Sequence, residues 1–86
     1  MATFEIHVTI ENKPGISDPE GDTILNDLVL KSTHKTVSKI RTAKMLKFTI
    51  KEKDKKSAQL KIQNICDDLR IYNPVVSKIT IDVFDA

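Results

Sequence analysis

His7, His34, Cys66 and the acidic trio Asp18, Glu20 and Asp22 are the most reactive side chains of this chain. A metal needs at least three converging ligands. His7 falls on the polar side of an alternating segment and His34 in a loop, and neither has a second and third ligand at a metal-binding spacing. Both read as structural or solvent-facing, so no metal site is expected. A nucleophilic Cys66 would want a depressed pKa, from a nearby cation or a helix N-terminus. It sits near the end of an apolar helical stripe, where a free Cys packs as a small hydrophobe. A phosphate cradle needs a Gly-rich loop feeding a helix start. Pro14-Gly15 and Gly21 have the wrong spacing for the dinucleotide and P-loop patterns, and the acidic trio would repel an anion. These residues predict no catalytic residue, no bound cofactor and no metal.

The elements that hold these residues follow from periodicity. Phe4, Ile6, Val8 and Ile10 alternate with Glu5, His7, Thr9 and Glu11, the pattern of a half-buried strand. Asp18 is a good helix N-cap and Pro19 suits the first helical position. A helix over about 19–31 would bury Ile24, Leu25 and Leu28. Gly21 is the oddity, since Gly inside a first turn costs about 1 kcal/mol against Ala. A second strand is expected over 37–42, with Ala43 and Lys44 as the turn into a third strand carrying Leu46, Phe48 and Ile50. Residues 51–56 read as a charged connector. A second helix from Ser57 lines up Ala58, Ile62, Ile65, Cys66 and Leu69, and Asn73-Pro74 closes it. Val75, Ile79, Ile81 and Val83 describe the last strand. This β-α-β-β-α-β order predicts a single ferredoxin-like α+β domain over residues 1–86, with a four-stranded antiparallel sheet and both helices on one face.

Composition bounds the partners. Fourteen Lys and Arg against twelve Asp and Glu leave +2, too near balance for a nucleic-acid or membrane surface protein. Lys39, Arg41, Lys44 and Lys47 cluster around the expected hairpin and read first as a solvated or partner-facing edge. The outward strand positions lack the aromatics that base stacking would need. One Cys allows no internal disulfide. Met1 to His7 has neither the basic nor the apolar region of a signal peptide, and no apolar run is long enough to span a bilayer. A soluble, cytoplasmic protein is expected. Leu60 lies about 200° around its helix from Ile62, on the outer face, using 100° per residue. With Gly21, it points to a helical layer that meets another protein. A small core and unpaired sheet edges predict self-association, with the polar sheet face or an edge as the contact.

Three short motifs, in order and at matching spacing, carry a resemblance that covers residues 4–83. Asp18-Pro19-Glu20-Gly21 is similar to the Asp-Pro-x-Gly of the PurS family, the small subunits of phosphoribosylformylglycinamidine (FGAM) synthase. Ile40-Arg41-Thr42-Ala43-Lys44 resembles its Val-Arg-x-Gly-Lys segment. Cys66-Asp67-Asp68-Leu69 followed by Asn73-Pro74-Val75-Val76 resembles Cys-x-x-Leu and Asn-Pro-Val-Ile. Ala43 stands where the family has Gly, and the run 69–72 is about one residue longer. The resemblance implies a non-catalytic subunit of an enzyme of purine biosynthesis. That enzyme converts formylglycinamide ribonucleotide, glutamine and ATP to formylglycinamidine ribonucleotide. The chain would bridge a PurQ-type glutaminase and a PurL-type synthetase and assist ammonia transfer, as a homodimer or tetramer. ATP and magnesium would belong to the synthetase. Asp18, Pro19, Gly21, Arg41, Lys44, Leu60, Asn73 and Pro74 become the expected partner-interface residues. An ACT-type module that senses a small molecule is the alternative on the same fold.

Overall fold

Alternation sets the first element. Phe4, Ile6 and Val8 are buried on one side of β1 (Ala2–Asn12), while Glu5, His7 and Thr9 stay half-exposed on the other. In the computed structural model, which describes residues 1–86, β1 is the middle strand of a three-stranded antiparallel sheet. β2 (Ala43–Glu52) pairs with one edge of β1 and β3 (Ser77–Asp85) with the other. Register puts Ile6 between Phe48 and Val83, and Val8 between Leu46 and Ile81. The inward apolar side chains of the three strands therefore land on one face, but Val75, expected in the last strand, lies in the turn before β3 and is 77% exposed.

That face is covered by α2 (Lys55–Asp68). Ala58, Ile62 and Cys66 are buried against Phe4, Ile6 and Val8, and Ile65 packs on the cluster. The Asp54 carboxylate accepts from Ser57 N–H at 2.7 Å and starts the helix two residues before the sequence-based estimate. Its C-terminus also comes early. Arg70 takes the left-handed conformation (φ 50°), and Ile71 N–H donates back to Cys66 O at 3.1 Å. This is the Schellman arrangement, with Ile71 folded onto the core beside the last turn. The helix stops there, ahead of Asn73-Pro74, and the longer run 69–72 is the chain needed to make that stop.

Two expectations are corrected. The sheet has three strands, because residues 37–42 form no ladder. The chain also does not reverse at Ala43-Lys44. Ala43 pairs with Glu11 and Lys44 with Ile10, so both belong to a straight β2. A two-residue reversal wants positive φ at its centre, and neither residue has it. The second correction concerns the first helix. α1 (Pro19–Thr23) passes into a π-helical turn over Ile24–Val29, closed by Leu30 N–H to Leu25 O at 2.8 Å. Neither piece comes within 8 Å of a strand or of α2, Cα to Cα, so one helix covers the sheet and not two. Of the three residues expected to be buried there, Leu25 is, Ile24 is half-buried, and Leu28 is 66% exposed.

The result is elongated. The Cα radius of gyration is 16.7 Å over extents of 51 × 27 × 14 Å, against roughly 12 Å for a compact domain of this length. Nine of 86 residues are buried. The reason is visible in the elements: residues 13–42 form an arm that adds little to the core.

Candidate functional site

Asp18 anchors the arm. Its carboxylate is 4% exposed and accepts from Gly21 N–H at 3.1 Å, which makes it the N-cap of α1. It also accepts from Thr42 N–H at 2.5 Å and from Thr42 Oγ1 at 2.9 and 3.0 Å. The Thr42 amide is therefore spent on a side chain and not on a sheet ladder. Hydrogen bonds to Thr42 N–H, then Gly21 N–H and the Thr42 hydroxyl, hold the Asp18 carboxyl below its ordinary range, with the Arg41 charge adding to them.

Arg41 completes the clasp from the other side. Its guanidinium donates to Ile16 O at 2.7 Å, Asn12 O at 3.2 Å and Lys13 O at 3.4 Å. Residues 12–16 and 40–42 are thus tied together by a planar donor fork that a Lys could not reproduce. Gly21 is buried where they meet, with its α-carbon facing Ile40 O; a Cβ there would lie well inside van der Waals contact with that backbone oxygen. Pro19 opens α1 and is exposed. The oddity in the sequence has a packing cause.

The third motif reaches the same end of the sheet. Asn73 Oδ1 accepts from Val75 N–H at 3.0 Å, and Asn73 O accepts from Ser77 and Val76. Val76 O in turn accepts from Lys13 N–H at 2.9 Å. Motif residues Asp18, Gly21, Arg41, Lys44, Asn73 and Pro74 therefore gather around the Asn12 end of β1. Leu60 does not join them. It lies 55% exposed on the outer side of α2, as its helical angle predicts.

Next to this end, Cys66, Asp67, Arg70, Tyr72 and Pro74 line an open depression of about 330 Å³. Tyr72 OH donates to Asp67 Oδ1 at 3.3 Å, and desolvation with the Asp67 charge raises the phenol pKa. Desolvation, followed by the same carboxylate, raises the Cys66 thiol, so its sulfur stays protonated inside the core. His7 Nε2 meets Glu5 at 2.7 Å on the open sheet face, and His34 sits in a turn, its amide donating to Ser32 Oγ. No three His, Cys, Asp or Glu side chains converge. No nucleophile–base pair is assembled either.

The family model for "PurS: Phosphoribosylformylglycinamidine (FGAM) synthase" matches residues 5–85. The chain belongs to the PurS family. The phosphoribosylformylglycinamidine synthase subunit PurS of Archaeoglobus fulgidus is 36% identical over 74 residues, 86% of this chain and 90% of the relative. Methanocaldococcus jannaschii PurS, one of the subunits of formylglycinamide ribonucleotide amidotransferase, superposes with a TM-score of 0.82 at 28% identity, covering 96% of this chain and 98% of that one. A chain of PurLQS from Thermotoga maritima shares the fold, with a TM-score of 0.84 at 23% identity over 98% and 100% of the two chains. Membership in the PurS family decides against the ACT-type reading. It also makes this chain an FGAM synthase subunit, so it contributes to catalysis only within that enzyme. No helix is long and apolar enough to cross a membrane.

Sequence reasoning missed Thr42 and Arg70. Thr42 carries a signal, being a hydroxyl residue between two motif positions, but its Asp18 partner is 24 residues away. Arg70 carries none, since a left-handed non-glycine is invisible to pattern.

Proposed function

We propose that this chain is the PurS subunit of a cytoplasmic FGAM synthase, docking between a PurL-type synthetase and a PurQ-type glutaminase. The observation that carries the reading is the family match over residues 5–85, nearly the whole chain. The name PurLQS of the Thermotoga maritima assembly agrees with it. The chemistry explains why such a module is useful. Ammonia set free in water is protonated and loses its nucleophilicity, so the site that releases it and the site that consumes it must be joined by a water-excluding path. A rigid module held against both enzymes keeps those sites in register. ATP and magnesium act in the synthetase, and this chain binds neither. Asp18, Gly21 and Arg41 serve the docking end by holding the arm in place, while Pro19, Lys44, Asn73, Pro74 and, separately, Leu60 present surface to the partners. The module also associates with itself.

The test is product formation from glutamine and from ammonium salt, with the synthetase and glutaminase, with and without this chain. Omission should abolish the glutamine-dependent reaction and spare the ammonia-dependent one. Glutamine-dependent synthesis that is unchanged by omission would refute the bridging role.

A further inference from the structure

Arg70 stands where an arginine is costly. It holds the left-handed conformation (φ 50°) that ends α2, a place glycine usually takes because it has no Cβ to strain. Its guanidinium makes no hydrogen bond and no ion pair within the chain. The strain is therefore not offset by any polar contact of that side chain inside the molecule. Arg70 borders two depressions of about 330 and 320 Å³, which share Tyr72 and Pro74 as well.

Asp67 lines the larger of the two. Gln63 Nε2 and Tyr72 OH both donate to its Oδ1, at 3.2 and 3.3 Å, which leaves Oδ2 without a donor in the chain. Asp67 also belongs to the last turn of α2, the negative end of the helix dipole, and no basic residue stands in that turn. Arg70 and Asp67 are not within ion-pair distance of one another, although they border the same depression. One depression thus offers a free donor fork and a free acceptor, held apart.

We propose that this depression binds a free α-amino acid as its zwitterion. The Arg70 fork takes the carboxylate through paired N–H donors, a match of planar groups that a Lys would not make. Asp67 Oδ2 and the helix end take the ammonium group. The side chain of the ligand lies against Tyr72 and Pro74. Charge selects this class of ligand. Asp67, with Asp68 next to it in sequence, repels a simple anion, and Arg70 repels a simple cation. A ligand that carries both signs on one carbon meets neither repulsion. The volume is at the lower end of small-molecule sites, roughly 300–1,000 Å³, and suits a ligand of amino-acid size. Arg70 and Asp67 are exposed, so their attraction is screened by water and the expected Kd is on the order of 1 mM.

Glutamine, which the synthase consumes, is the probe. The full chain, labelled with nitrogen-15, is titrated to roughly 50 mM glutamine at constant ionic strength, and its amide resonances are followed by NMR. Amides of residues 67–72 should shift and saturate. N-acetylglutamine lacks the ammonium group and glutaminamide lacks the carboxylate, so each should bind about tenfold or more weakly. Arg70→Gly should weaken glutamine binding by the same factor while the fold is kept, since glycine suits the left-handed position. Asp67→Asn should do so as well, through the ammonium group. The site is overturned by amides that do not saturate, by blocked analogues that bind as well as glutamine, or by a folded Arg70→Gly chain that binds undiminished. If glutamine leaves the amides unmoved and Arg70→Gly instead weakens assembly with the synthase subunits, the depression is a protein contact and the amino-acid site is overturned. The titration uses this chain alone, so its outcome is independent of the bridging assay.

Discussion

Replacing Gly21 by Ala sets two physical effects against each other, and the structure says which wins. On helix propensity alone the change is favourable by up to about 1 kcal/mol. The added Cβ, however, would point at Ile40 O, a main-chain atom that no rotamer change can move aside. Relief requires the segment 40–42 to retreat from α1, and that segment is held by Thr42 on Asp18 and by Arg41 on three carbonyls. Overpacking of a well-fitted site costs about 1–3 kcal/mol. The expected net is a loss of about 1–2 kcal/mol, which for a domain of this size lowers Tm by roughly 5–15 °C. Thermal unfolding followed by circular dichroism at a fixed protein concentration measures it, since self-association would otherwise shift Tm. Amide exchange provides an independent readout, because Thr42 N–H should lose protection when the segment retreats. A Gly21→Ala variant with unchanged or raised Tm and an unchanged Thr42 amide would refute the clasp.

Four further outcomes are expected. Arg70→Gly should stabilise the chain by about 0.5–1 kcal/mol, read by urea denaturation, because Gly relieves the left-handed conformation that ends α2. Ile62→Ala should cost about 2–4 kcal/mol in the same assay, since Ile62 is 1% exposed in the core. Leu60→Ala should stay within about 0.5 kcal/mol for the free chain, as a surface change does, and show its effect in glutamine-dependent activity with the partners. The folded carboxyl of Asp18 titrates below its ordinary value of 3.8. Its contribution is complete above that value and is lost as pH falls below it. Asp18→Asn should lower Tm at neutral pH and flatten the acid limb of the Tm–pH curve.

The strands and α2 were legible because burial there follows one period. β1, β2 and β3 each alternate, and Ala58, Ile62 and Cys66 fall on one stripe, so most of the core could be listed from spacing; Leu69, expected on that stripe, is exposed because α2 ends at Asp68. Segment 37–42 was misread because its determinants are remote. Ile40, Arg41 and Thr42 are acceptable strand residues, but an Asp carboxylate 24 positions earlier takes the Thr42 amide, and the carbonyls of Asn12, Lys13 and Ile16 take the Arg41 guanidinium. Val37 and Ile40 stand three positions apart, which breaks the two-residue period of a strand and is the local sign. Gly21 shows the converse: its anomaly was visible, its cause was not, because the clash partner Ile40 belongs to the same misread segment.

The expected interface residues of this chain fall into two groups by their hydrogen bonding and exposure. Asp18, Gly21, Arg41 and Thr42 direct their polar groups inward, and the clasp they form is complete without a partner. Conservative changes at these positions should act through stability, and their effect on the assembled enzyme should follow the fraction folded. Lys44, Leu60 and Pro74 are exposed, and their side chains make no hydrogen bond or ion pair within the chain, so changes there should spare Tm and act on assembly. A chain with nine buried residues has little stability to spare. An arm fixed by side-chain hydrogen bonds, and not by a core, stays in place only while those bonds are made. A clasp variant that lost assembly at full folding, or an outward-facing variant that lost stability first, would show that this division is drawn in the wrong place.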